Sequence, residues 1–186
     1  MTRDQLAADF SSDWARHVGT TGPLAHHLRQ AGLLPWIRFH ALPMSKRYAE
    51  TAEEKQTILA RADELATETL GEKADCWLVE CREGRPGGAV RTRVKGHSVL
   101  DIAEPEDDCI WTVHVSPARW KAGSARRLLW QVAQDRTGPT LWINRTSGAI
   151  FAPYDGGFDL FPASRQHVEA LRQKHSNWLS NEPGGL

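Results

Sequence analysis

Leu141-Trp142-Ile143-Asn144-Arg145-Thr146-Ser147-Gly148-Ala149-Ile150-Phe151 decides the fold class. Two apolar runs flank a short polar stretch, and Thr146-Ser147-Gly148 carries residues that reverse a chain, so the segment predicts a β-hairpin. A hairpin joins antiparallel neighbours, whereas a parallel sheet needs long crossovers. Phe158-Asp159-Leu160-Phe161 predicts one more short strand just downstream. Upstream, Cys76-Trp77-Leu78-Val79-Glu80-Cys81 is apolar at nearly every position, which predicts a central strand covered on both faces.

Helices and further strands follow from period and punctuation. Leu6, Ala7, Phe10 and Trp14 share one face of a helix over residues 2–18. Pro23 suits a first helical position and Gly32 a C-terminal stop, which predicts a short helix over 23–31. Trp36 to Leu42 reads as a strand, with Ile37, Phe39 and Ala41 on one face and Trp36, Arg38 and His40 on the other. Thr51 with Glu54 makes a capping box, and the helix it starts buries Ile58, Leu59, Ala62, Leu65, Ala66, Thr69 and Leu70 before Gly71 ends it. The glycine-rich, basic stretch 83–96 reads as a mobile loop, followed by strands near 97–102 and 109–115. A helix over 122–135 and another capped by Ser164 complete the order, and the tail from Asn181 to Leu186 is expected to fray. Strand pairs mixed with helices, without regular alternation, predict an α+β fold. The expectation is one domain over residues 1–186, a mainly antiparallel sheet with helices packed on it. Residues 1–32 form a helical N-terminal segment and residues 33–186 the core.

The chain has 186 residues, with 23 Lys+Arg against 23 Asp+Glu. Neutrality argues against a nucleic-acid protein, whose phosphate contacts need clustered positive charge. The local exception is the basic loop with Arg82, Arg85, Arg91, Arg93 and Lys95, which alone would carry an RNA-binding reading. No apolar run is long enough for a membrane span, and the first residues contain no secretory core, so a cytoplasmic location is expected. An odd number of cysteines, Cys76, Cys81 and Cys109, fits buried thiols in a reducing compartment and no disulfide framework. Charge is uneven: residues 98–108 hold only acids, and 109–148 hold six Arg or Lys against Asp135. Such polarity either pairs internally or orients a partner. Of the eight Trp, Trp14, Trp77, Trp111, Trp142 and Trp178 fall on expected core positions, whereas Trp36, Trp120 and Trp130 point to a surface.

Motifs of the common enzyme families are missing: no nucleophile elbow, phosphate-binding loop, dinucleotide fingerprint or HExxH helix occurs. No cofactor is expected. Nor is a metal, because the adjacent His26 and His27 would diverge by about 100° on a helix. His97, His114 and the cysteines lack metal-ligand spacing. Two segments stand out. Pro153-Tyr154-Asp155-Gly156-Gly157-Phe158-Asp159 sets two acids around a Gly-Gly turn, as a self-bonded tight connection or a carboxylate pair at a sheet edge. Trp36-Ile37-Arg38-Phe39-His40-Ala41-Leu42-Pro43-Met44-Ser45-Lys46-Arg47-Tyr48 gathers cations and aromatics, the side chains of binding hot spots and anion sites. Its Arg38 is expected to meet Asp155 or Asp159 and lock the two segments together.

These segments, the capped helix, the D-x-W-L-V strand and the closing N-W-L-S-x-x-P-x-G-L resemble a bacterial family classed as a domain of unknown function. The resemblance covers most of residues 33–186 and implies no established activity. Proteins of this kind are similar to immunity or accessory proteins encoded beside bacterial toxins. The leading expectation is therefore a non-catalytic cytoplasmic binding protein, an immunity-type partner of another protein. Its contacts would be Trp36, Arg38, His40, Arg47, Trp120 and Trp130, with the acidic 101–108 loop. The alternative is a small enzyme or anionic-ligand binder. Its pocket would combine Arg38 and His40 with Tyr154, Asp155 and Asp159, the His as acid/base and the Arg as anion holder.

Overall fold

The computed structural model describes residues 2–84, 96–104 and 109–179. The core of the expected 83–96 loop, the tip of the acidic loop and the end of the chain lie outside the described residues.

The hairpin does organise the sheet. β5 (Thr140–Asn144) pairs with β6 (Ile150–Tyr154), which pairs with β7 (Gly157–Phe161), all antiparallel. On one side β1 (Ile37–His40) adds to β7; on the other, β2 (Asp75–Glu83), β4 (Cys109–Arg119) and β3 (His97–Glu104) follow. The order is β1-β7-β6-β5-β2-β4-β3, seven strands with every pairing antiparallel. The fold is a single α+β domain, as the strand and helix pattern predicts.

Alternation along β2 explains two cores. Trp77, Val79 and Cys81 face one apolar cluster, and Cys76 and Leu78 face the other. The first cluster is closed by α1 (Arg3–His17) and α2 (Ala25–Ala31), through Leu6, Phe10, Trp14, Leu24 and Leu28. The N-terminal segment is thus one face of the fold. The second is closed by α3 (Ala52–Leu70), α4 (Arg126–Ala133) and α5 (Arg165–Lys174). α3 begins at the expected capping box: Thr51 accepts from the Glu54 amide, and the Glu54 carboxylate accepts from the Thr51 amide. Gly71 caps its end at φ 91°, in the left-handed region that favours glycine. All three cysteines are buried and none forms a disulfide among the described residues, and burial pushes the Cys76 thiol up to about 11 and that of Cys81 up to about 12. Among the described residues no helix is long and apolar enough to cross a membrane.

α1 is fixed by a buried carboxylate. Asp13 accepts from Trp77 Nε1 at 2.9 Å, Arg145 Nε at 2.9 Å and Arg16 Nη2 at 2.8 Å, tying the helix to β2 and to the β5–β6 turn. Burial alone would raise its pKa, but these donors and positive charges hold it below the ordinary aspartate value.

Three local expectations need correction. α2 starts at Ala25 with Leu24 as its N-cap, so Pro23 precedes the helix. The 122–135 helix is shorter, starting at Arg126 after a turn. Trp120 is 1% exposed and belongs to the core, whereas Trp111 and Trp178 are half-buried. The reason is strand phase. β4 runs to Arg119, so Trp120 falls on the same face as Ala118, against Trp142 and Phe151, with its Nε1 donating to Thr67 Oγ1 at 2.9 Å.

Candidate functional site

The β1–β7 register places Arg38 directly opposite Asp159. The pair is bidentate: Arg38 donates from Nε to Oδ1 at 2.8 Å and from Nη2 to Oδ2 at 2.9 Å. Trp36 Nε1 donates to the same Oδ1 at 2.9 Å, and Arg29 Nη1 from α2 lies 3.6 Å from Oδ2. The expected lock between the two motifs is this pair. Burial works against the charge of Arg38, but the Asp159 contacts raise its pKa further than burial lowers it. Its guanidinium also lies 4.8 Å from the centre of the Tyr154 ring. Burial pushes the Tyr154 phenol up to about 12 despite Arg38 nearby, so at neutral pH it remains a hydrogen-bond donor.

Asp155 has a different partner. Arg47 Nε donates to its Oδ2 at 2.5 Å and Tyr48 Oη donates to the same atom at 2.8 Å. It is therefore not the self-bonded turn aspartate anticipated from the motif. The glycines beside it serve packing. A Cβ on Gly157 would stand 2.2 Å from the carbonyl oxygen of Phe39, and one on Gly156 would stand 3.2 Å from the Tyr154 ring. Neither residue has a positive φ, so close packing and not a left-handed backbone requires glycine here.

Arg38, Tyr154, Asp155 and Asp159 line one end of a cavity of about 390 Å³ on the α1/α2 face. Leu141 and Ala152 form its apolar floor; α2 contributes Ala25, His26 and Arg29 as one wall. The α4–β5 connection, including Asp135, Thr137, Gly138 and Pro139, makes the other. Gly138 is needed for this approach, since a Cβ there would meet the Cys81 carbonyl at 2.1 Å. Thr137 Oγ1 is buried without a hydrogen-bond partner among the described residues. The volume is within the range of small-molecule sites.

A second cluster stands at the cavity wall. His26 Nε2 meets Glu104 Oε1, and His27 Nε2 lies 2.9 Å from the same oxygen. The rings are edge-to-face with centroids 4.5 Å apart, so the two adjacent histidines converge rather than diverge. The divergence expected from helical geometry describes Cβ directions only. Both side chains reach past the first turn of α2 to a carboxylate supplied by β3. Trp111 Nε1, also in the cavity lining, donates to Glu104 Oε2 at 2.7 Å.

The structure does not assemble the whole expected set. His40 lies outside the cavity lining; its Nε2 is 3.2 Å from Ser45 Oγ, and burial, then Arg38 and Arg61, push its pKa down. The predicted His40–Asp155 acid/base pair at a cleft is therefore not formed. Trp36 supports Asp159 from outside the lining, and Arg47 reaches the rim through Asp155. Trp130 sits apart on α4 under Lys55, whose Nζ is 4.8 Å from the ring centre. Trp120 is in the opposite core. Sequence reading missed Arg29, Trp111 and Thr137, and set His26 aside with His27 as unable to share an ion. Of the missed residues Arg29 carried a usable signal, a basic residue two positions after the His26-His27 pair on a short predicted helix.

A family model described as Domain of unknown function (DUF3885) matches residues 24–183, and the chain belongs to that family. No curated protein and no solved structure matches it.

Proposed function

We propose that this member of the family binds a small organic molecule bearing a carboxylate or phosphate in the α1/α2-face cavity. The observation that carries the reading is Arg29. It lines the cavity, yet its contact with Asp159 is a single ion pair at 3.6 Å, and that carboxylate already accepts three shorter bonds from Arg38 and Trp36. A guanidinium in this position offers donors to an incoming anion. Tyr154 and the Thr137 hydroxyl add neutral polar contacts, and Leu141 and Ala152 suit an apolar body. The three buried thiols support action in a reducing, cytoplasmic compartment. Thermal melts of the protein with inorganic phosphate, phenyl phosphate and benzoate test it. At least one anion is expected to raise the midpoint of the wild type, and Arg29→Gln to abolish that rise. A wild type unmoved by every anion, or an Arg29→Gln variant that still responds, overturns the reading.

A second reading is favoured by residues 43–48. Met44 is 96% exposed, and Met44 and Ser45 hold left-handed backbone angles of φ 58° and 54°. Strain in a non-glycine residue that presents an apolar side chain to solvent marks a contact point. In this reading the chain is a protein-binding module, an immunity-type partner of a bacterial toxin. Co-expression with neighbouring gene products is expected to yield a complex that Met44→Asp dissolves; failure to recover any complex removes this reading.

A further inference from the structure

We propose that His26, His27 and Glu104 form a binding site for a divalent transition-metal ion, with zinc the foremost candidate, at the wall of the cavity. The inference does not depend on anion binding at Arg29. One ring nitrogen from each of His26 and His27 and one Glu104 carboxylate oxygen lie within 4.8 Å of one another. Bonds of about 2.0–2.1 Å in a tetrahedral shell put ligand atoms roughly 3.3 Å apart, so the rings need only small movements to admit an ion between them. Two His and one carboxylate is the donor set that binds zinc and iron while leaving coordination positions open.

The surroundings add to the donor set. Trp111 Nε1 holds Glu104 Oε2 at 2.7 Å, which fixes the carboxylate and leaves Oε1 turned to both histidines. Such outer contacts orient metal-binding carboxylates. Gly22 leaves room for the His27 ring, since a Cβ there would come 3.2 Å from Nδ1. The histidine side chains are 37% and 28% exposed and that of Glu104 is 12% exposed, so an ion can enter while the carboxylate stays shielded. His26 and Trp111 both line the cavity, so the site borders it. The cluster of Glu64, Glu68 and His175 differs in kind: Lys174 Nζ already stands 2.6 Å from Glu68 and 3.4 Å from Glu64, supplying the cation.

The test uses tag-free, chelator-treated full-length protein titrated with cobalt chloride and zinc chloride. One equivalent of cobalt is expected to give the visible bands of a four- or five-coordinate site. Zinc, followed calorimetrically, is expected to bind at one equivalent and displace it. His26→Gln, His27→Gln and Glu104→Gln should each weaken zinc at least tenfold, with circular dichroism confirming the fold. Trp111→Phe should weaken it by roughly 10- to 100-fold, as loss of an outer contact does. A six-coordinate cobalt spectrum, or zinc affinity unchanged in His27→Gln and Glu104→Gln, overturns the proposal. Anion-induced melting shifts measured on the same variants keep its failure distinct from failure of the Arg29 reading.

Discussion

Asp159→Asn isolates the contact that joins β1 to β7. The Asp159 side chain is 4% exposed and that of Arg38 is 11% exposed, so neither is well solvated. Asparagine keeps the shape but removes the charge, and turns an amide toward a guanidinium that now has no counter-ion. Breaking a buried pair from one side costs about 3–5 kcal/mol, because the remaining charge is left uncompensated. A chain of this length loses about 2–4 °C of melting midpoint per kcal/mol, which gives a drop of roughly 6–20 °C. Urea and thermal unfolding followed by tryptophan fluorescence read it directly. The decisive companion is Arg38→Met combined with Asp159→Asn. With Arg38 also gone the penalty for its orphaned guanidinium disappears, and Arg29, its side chain 28% exposed, keeps access to water, so the double variant should be more stable than Asp159→Asn alone. A single variant that loses under about 1 kcal/mol, or a double variant that loses the sum of the two singles, refutes the reasoning.

Gly157→Ala should separate β1 from β7, since its Cβ would stand 2.2 Å from the Phe39 carbonyl, and should cost more than the roughly 1–3 kcal/mol of ordinary overpacking. Gly156→Ala, whose closest contact is 3.2 Å from a movable ring, should cost less; equal urea midpoints for the two variants would contradict this. The depressed pKa of Asp13 stabilises the fold above the aspartate value of the unfolded chain, and that part is lost as pH falls through the folded value. Asp13→Asn should therefore flatten the fall in stability on acidification below the ordinary aspartate pKa, and an unchanged slope in that variant removes Asp13 as the cause.

The antiparallel sheet was readable because its signals are local. A turn between two apolar runs, a capping box and the alternation of Ile37 and Phe39 with Trp36 and Arg38 each depend on a few adjacent residues. The Arg38 lock was readable only as a choice between two acids. The β1–β7 register decides it, by setting Asp159 opposite Arg38 and leaving Asp155 in the turn for Arg47. Trp120 was misplaced because the strand was ended four residues early; carried on to Arg119, its period of two puts Trp120 inside. Convergence of His26 and His27 was hidden for another reason. It depends on Glu104, 78 positions from His26 along the chain, and no helical angle contains that information. The cavity is likewise a product of assembly, with walls from α2, β6 and the α4–β5 connection.

The helices over the sheet differ in length, and that difference predicts where backbone amides exchange first. α3 spans 19 residues on its face, whereas the cavity wall is α2, 7 residues long and ended by Gly32 at φ 63°. So short a helix has little cooperativity of its own and depends on its tethers: Leu24 and Leu28 in the core, Arg29 at Asp159 and the histidines at Glu104. Amide protons of α2 should then exchange with solvent long before those of α3 or β2. The rate at which this flap lifts, rather than global unfolding, would set how fast a bound molecule enters and leaves.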